Sequence, residues 1–113
     1  METKRQNRIN KLIQKDLGEI LQLEGRNLFS GAMLTVTKVQ VSPDLSVAKV
    51  YVSIFASKDN AATLKTLRSN TKEIRHQLSQ RVKLQLRIVP NLSFYLDDSL
   101  DYIENIDNLL KNS

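Results

Sequence analysis

The chain has 113 residues, with 17 Lys+Arg against 12 Asp+Glu, one His, and neither Cys nor Trp. That length fits one domain that buries roughly two-thirds of its unfolded surface without disulfides or a structural metal. The lack of cysteine excludes thiol nucleophiles, Cys-based zinc sites and a secreted disulfide framework, so the expected location is cytoplasmic. The net charge of +5 hides an uneven distribution, because residues 1–87 carry 16 basic and 7 acidic side chains while residues 88–113 carry one basic and five acidic. No apolar run approaches the roughly 18 to 20 residues of a membrane span, and no signal-peptide core follows the opening Met-Glu-Thr-Lys-Arg. A soluble protein with an anionic partner and no membrane partner is expected.

From Thr3 to Glu24, Ile9, Leu12, Ile13, Leu17, Ile20 and Leu21 recur with helical spacing, and Gly25 stands where a helix C-terminus favours a left-handed residue. On the same helix Lys4, Arg8, Lys11 and Lys15 form one stripe nearly opposite the apolar one. Two β-rich runs follow, Met33–Val41 and Leu45–Phe55, joined by Ser42-Pro43-Asp44, in which Pro suits position i+1 of a turn. This reads as a hairpin. In the second run Ala48, Val50, Val52 and Ile54 alternate with Lys49, Tyr51 and Ser53; in the first, parity switches between Val36 and Val39, which a bulge near Thr37–Lys38 explains.

Ser57-Lys58-Asp59 supplies helix N-cap candidates, and Leu64, Leu67, Ile74, Leu78 and Val82 mark an apolar helical stripe reaching about Lys83. Ser69-Asn70-Thr71 interrupts it with side chains that compete for backbone hydrogen bonds, which predicts two helices joined by a kink. After Pro90, Leu92, Phe94 and Leu96 alternate as a third strand, and Asp97, Asp98 and Ser99 lead into a short terminal helix bearing Leu100, Ile103, Ile106 and Leu110. The order is α-β-β-α-kink-α-β-α. A strand, two helices and a returning strand place the second and third strands parallel, with the first antiparallel to the second. The expected fold is α+β, a three-stranded mixed sheet with helices on one face and the helix pair of a KH-type RNA-binding module, with its core over residues 3–97 and a helical extension over 99–111.

Catalytic chemistry has little support. His76 stands between Arg75 and Gln77, which make neither a metal pair nor an oriented base, so an exposed helical histidine is the simpler reading. Asp97, Asp98 and Asp101 could hold a hard cation, but acids are expected at a helix start from capping and the dipole alone. The only glycines are Gly18, Gly25 and Gly31, so no glycine-rich phosphate loop exists. The basic pattern is stronger. Lys65, Arg68, Lys72 and Arg75 form a second stripe, extended by Arg81, Lys83 and Arg87, and such rows track a phosphate backbone. One stripe alone fits a solvated face equally well; two, nearly free of interleaved acid, favour nucleic acid. A kinked helix pair beside a sheet suits an irregular RNA better than duplex DNA. Tyr51 and Tyr95 read first as packing residues and second as base-stacking ones.

The string Val41-Ser42-Pro43-Asp44-Leu45 followed by Ala48-Lys49-Val50-Tyr51-Val52-Ser53 resembles the ribosome-binding factor A family, as do Ile74-Arg75 with Leu78, Arg87-Ile88-Val89-Pro90 with Leu92 and Phe94, and Asp98-Ser99 with Ile106 and Leu109-Leu110. The similarity spans about residues 3–110. It implies a type II KH-like fold without enzymatic activity, binding to the free 30S ribosomal subunit, and assistance to late maturation and processing of precursor 16S rRNA near its 5′-terminal helix. It also implies a link with growth in the cold. The family's Ala-x-Gly kink aligns with Asn70-Thr71-Lys72, where glycine is absent; asparagine tolerates left-handed backbone, so a kink at Asn70 is expected. The segment Arg81 to Leu86 aligns as about two residues longer than the family pattern.

The expected RNA-binding residues are therefore Lys4, Arg5, Arg8, Lys11, Lys15, Lys65, Arg68, Asn70, Thr71, Lys72, Arg75, Arg81 and Lys83, in a monomer that needs no cofactor, metal or small-molecule substrate. Three alternatives remain: a ribosome hibernation factor or other small rRNA-binding protein, distinguished by the ribosomal state it occupies; a metal-dependent nuclease using Asp97, Asp98 and Asp101; and a protein–protein adaptor with incidental basic charge, whose ribosome association would survive Arg68→Glu with Arg75→Glu.

Overall fold

The computed structural model describes residues 3–55 and 59–97, and the terminal helix expected after Asp97 lies outside them. The order is α1 (Lys4–Leu28), β1 (Met33–Val41), β2 (Val47–Phe55), α2 (Asn60–Ser69), α3 (Thr71–Val82) and β3 (Asn91–Leu96). The strands form one sheet in the order β1-β2-β3, with β1 antiparallel and β3 parallel to β2, as the α+β reading requires.

Helix α1 starts at a capping box. The Thr3 hydroxyl accepts from the Gln6 backbone N–H at 3.1 Å, and the Gln6 side chain accepts from the Thr3 N–H at 2.8 Å. Ile9, Ile13, Leu17, Ile20 and Leu21 are all buried against the sheet. The helix ends later than the glycine rule suggests. Gly25 is helical, and the reversal falls on Ser30 and Gly31, both with positive φ, while Gly31 N–H and Phe29 N–H both return to the Gly25 carbonyl. Tertiary burial of Phe29 carries the helix onward for another turn, and the left-handed requirement moves with it to Gly31 at φ 86°.

The hairpin also differs at one position. Pro43 occupies i+1 of a turn closed by Leu45 N–H to the Ser42 carbonyl, but Leu45 itself is left-handed at φ 61° and β2 begins at Val47. Asp44 holds this loop: its Oδ1 accepts from Ser42 Oγ, Ser46 Oγ and the Ser46 N–H. The bulge lies where parity switches, with the register shift between Val36 and Lys38. Thr37 is the extra residue, and it restores Val39 and Val41 to the same buried face as Leu34 and Val36.

Asp59 caps α2 by accepting from the Ala62 N–H. At the helix joint, Ser69 Oγ donates to the Lys65 carbonyl, Asn70 Nδ2 to the Thr66 carbonyl and Thr71 Oγ1 to the Arg68 carbonyl. These local bonds take over carbonyls at the end of α2 and break the rod there. Asn70 has φ −104° and ψ 13°, so the turn is made on the right-handed side and not through the left-handed conformation expected of asparagine. Sharing of its N–H between the Thr66 and Leu67 carbonyls is enough to redirect the chain. Leu67, Ile74, Leu78 and Val82 then complete the core with Val50, Val52 and Phe94.

Candidate nucleic-acid interface

The position of α1 is set by polar contacts as well as by its apolar face. Gln6, Asn10 and Gln14, four residues apart, form a row along β1. Gln6 Nε2 donates to the Val41 carbonyl at 3.1 Å, Asn10 Oδ1 accepts from the Val41 N–H at 2.9 Å, and Gln14 Nε2 donates to the Val36 carbonyl at 3.2 Å. Because β1 is an edge strand, these amides satisfy backbone groups that would otherwise be open to another chain. Sequence reading missed them; the visible signal is amides at i, i+4 and i+8 beside the apolar stripe.

This anchoring turns the opposite side of α1 outward. Lys4, Arg8, Lys11 and Lys15, within about 60° of one another around the helix, are all exposed, and so is Arg5. Rising 1.5 Å per residue, the stripe is about 16 Å long. Among the described residues the only ion pairs are those of Arg81, so none of these five cations is neutralised within them. The first turn of α1 contains no acid. Cations there oppose the positive end of the helix dipole, an arrangement that costs stability and that folding alone does not require.

The second stripe divides. Arg68 donates through Nε and Nη2 to the Phe94 carbonyl at 3.1 and 2.8 Å, and Arg75 donates through Nε to the Pro90 carbonyl and through Nη2 to the Val89 carbonyl. Since the Asn91 and Asp97 N–H groups bond the Ser46 and Val52 carbonyls, the even-numbered carbonyls of β3 face the free edge, where Arg68 reaches that of Phe94, while Arg75 holds the Val89–Pro90 segment that leads into the strand. Arg81 bonds Glu19 at 2.6 Å and lies 3.6 Å from Asp16, tying α3 to α1. The cationic rows thus contain three structural arginines: Arg68 sealing the second sheet edge, Arg75 holding the segment that enters it, and Arg81 joining helices. Lys65, Lys72 and Lys83 are exposed and unpaired among the described residues. Asn70 and Thr71 form the helix joint, and a cleft of about 280 Å³ beside it is lined by Arg68, Thr71 and the β3 residues Leu92, Ser93, Phe94 and Tyr95.

The alternative chemistry gains no geometry. His76 is exposed on α3. Asp97 accepts from Thr37 Oγ1, whereas Asp98 and Asp101 lie outside the described residues, and no group of three metal-ligating side chains occurs among the described ones. No described helix is long and apolar enough to cross a membrane.

A family model for ribosome-binding factor A matches residues 5–110. The chain belongs to the ribosome-binding factor A family. It is 59% identical to the ribosome-binding factor A of Flavobacterium johnsoniae over 97% of this chain and 85% of that one, and 44% identical to that of Cytophaga hutchinsonii over 97% and 83%. Among solved structures, the crystal structure of ribosome-binding factor A from Thermus thermophilus superimposes with a TM-score of 0.67 at 30% identity, covering 80% of this chain and 94% of that one. A Thermus thermophilus model of the factor, fitted into a cryo-EM map of its complex with the 30S subunit, superimposes with a TM-score of 0.63 at 31% identity, covering 79% and 91%. The family is one of ribosome-binding factors, not an enzyme class.

Proposed function

We propose that the protein binds the free 30S subunit as a monomer and assists late maturation and processing of precursor 16S rRNA near its 5′-terminal helix. The observation that carries this is the stripe of Lys4, Arg8, Lys11 and Lys15 on α1, with Arg5 beside it, exposed and unpaired among the described residues, held outward by the Gln6, Asn10 and Gln14 contacts, its first-turn members set against the helix dipole. Lys65, Lys72 and Lys83 add charge from the α2–α3 side. The Thermus thermophilus relative described in complex with the 30S subunit supports the partner. No step needs a nucleotide or a metal: the protein's binding energy differs between immature and mature rRNA arrangements and so biases one over the other.

Sucrose-gradient sedimentation of a lysate, followed by RNA crosslinking, tests this. The protein cosediments with free small subunits, is absent from translating ribosomes, and crosslinks to 16S rRNA through α1. Its recovery on idle assembled ribosomes would instead establish a hibernation role, and normal 16S rRNA ends in cells lacking it would remove the processing role.

A further inference from the structure

The described helices cover only one face of the sheet, and the geometry points to the other face as a second RNA-binding surface, one that takes unpaired bases of a single strand. This surface goes beyond the α1 stripe and lies on the opposite side of the molecule, because α1 packs its apolar side on the sheet and turns its cations away. Register places Lys38, Tyr51 and Tyr95 in one row across the three strands, and Gln40, Lys49 and Ser93 in the next. The rings of Tyr51 and Tyr95 stack, with centroids 5.6 Å apart and planes 30° apart. Tyr95, outermost of the pair, is 39% exposed, so Tyr51 holds it in place from one side while solvent reaches it from another.

Lys38 and Lys49 are exposed and in no ion pair among the described residues. The surface therefore combines a fixed aromatic platform, two free cations beside it, and the amide and hydroxyl of Gln40 and Ser93 within the next row. Any base offers a π face to stack on Tyr95, and its phosphates fall to the lysines; this chemistry fits a single strand and not a duplex, whose bases are already stacked. An apolar protein partner fits less well, since the centre of the face is polar and its two charges have the same sign.

The test uses the full chain and single-stranded oligoadenylate and oligouridylate of about eight nucleotides. The chain has three tyrosines and no tryptophan, so intrinsic tyrosine fluorescence reports stacking while anisotropy of a labelled oligonucleotide reports affinity. Wild type binds with quenched tyrosine emission. Tyr95→Ala loses roughly tenfold in affinity along with most of the quench, and Tyr95→Phe retains the affinity. Lys38→Gln with Lys49→Gln, two exposed positions that leave the core intact, lowers the salt slope by about 1.4. Substitution of the α1 lysines leaves the quench at saturation unchanged while weakening 30S binding, so failure of this surface and failure of the α1 reading give different results. Oligonucleotide binding that is unaffected by both Tyr95→Ala and the lysine pair overturns the inference. Self-association or ribosomal-protein crosslinks abolished by Tyr95→Ala, without oligonucleotide quenching, overturn it in favour of a protein partner.

Discussion

Replacing Lys4, Arg8, Lys11 and Lys15 together with glutamine separates binding from folding. All four are exposed and none joins an ion pair among the described residues, and glutamine has nearly the helix propensity of lysine and arginine. Removing Lys4 from the first turn also relieves an adverse interaction with the helix dipole, so stability rises by about 0.3–0.5 kcal/mol. Binding moves the other way. Each neutralised phosphate contributes roughly −0.7 to −0.9 to the slope of log K against log salt, so four contacts supply a slope of about −2.8 to −3.6. A fourfold rise in monovalent salt therefore weakens wild-type binding about 50- to 150-fold through this stripe alone. The variant lacks that component and keeps the shallower slope due to the other cations. Titration of small subunits by sedimentation at stepped potassium concentrations, beside urea unfolding of the same preparations, measures both effects. An unchanged salt slope would refute the assignment of the stripe, and a large loss of urea stability would show that these side chains hold the fold.

Arg68→Gln and Arg75→Gln behave oppositely: the first removes charge-assisted bonds to the Phe94 carbonyl of β3 and the second those to the Val89 and Pro90 carbonyls before it, each costing about 1–2 kcal/mol in urea unfolding, and Arg75→Lys does not restore it because an ammonium lacks the guanidinium fork. Stability equal to wild type in all three would contradict these structural roles. The hydrogen bonds from Ser42 and Ser46 lower the Asp44 carboxyl from 3.8 to about 2. A lowered folded-state pKa contributes stability above pH ~4 that is lost as pH falls toward 2; Asp44→Asn therefore flattens the fall in thermal midpoint across that window, and an unaltered profile would disprove the loop assignment. Gly18→Ala stabilises by about 0.5–1 kcal/mol, because nothing lies within 4 Å of the added Cβ in mid-helix, whereas Gly31→Ala, at φ +86°, destabilises by about 1–2 kcal/mol. Differential scanning calorimetry of the two variants reads the opposite signs.

Much of the fold was legible in local pattern. The parity switch between Val36 and Val39 located the bulge, and the Ser69-Asn70-Thr71 run located the break between α2 and α3, because both follow from residues within a few positions of each other. Element ends were less legible. Gly25 had the composition of a helix stop, yet burial of Phe29 carried the helix past it, and Leu45 adopted a left-handed conformation usually left to glycine because the Asp44 bonds close the loop around it.

For the site, local pattern is enough to say where the cations stand: helical spacing aligns Lys4, Arg8, Lys11 and Lys15, and alternation puts Lys49 and Tyr51 on one side of a strand. Which cations are engaged depends on how the elements pack. Arg68, Arg75 and Arg81 have the same spacing and charge as the others, yet their partners, Phe94, Pro90, Glu19 and Asp16, are distant in sequence and arrive only when α1, α2, α3 and β3 pack together. A guanidinium's charge is local information, but whether a carbonyl or carboxylate lies within 3 Å of it is not.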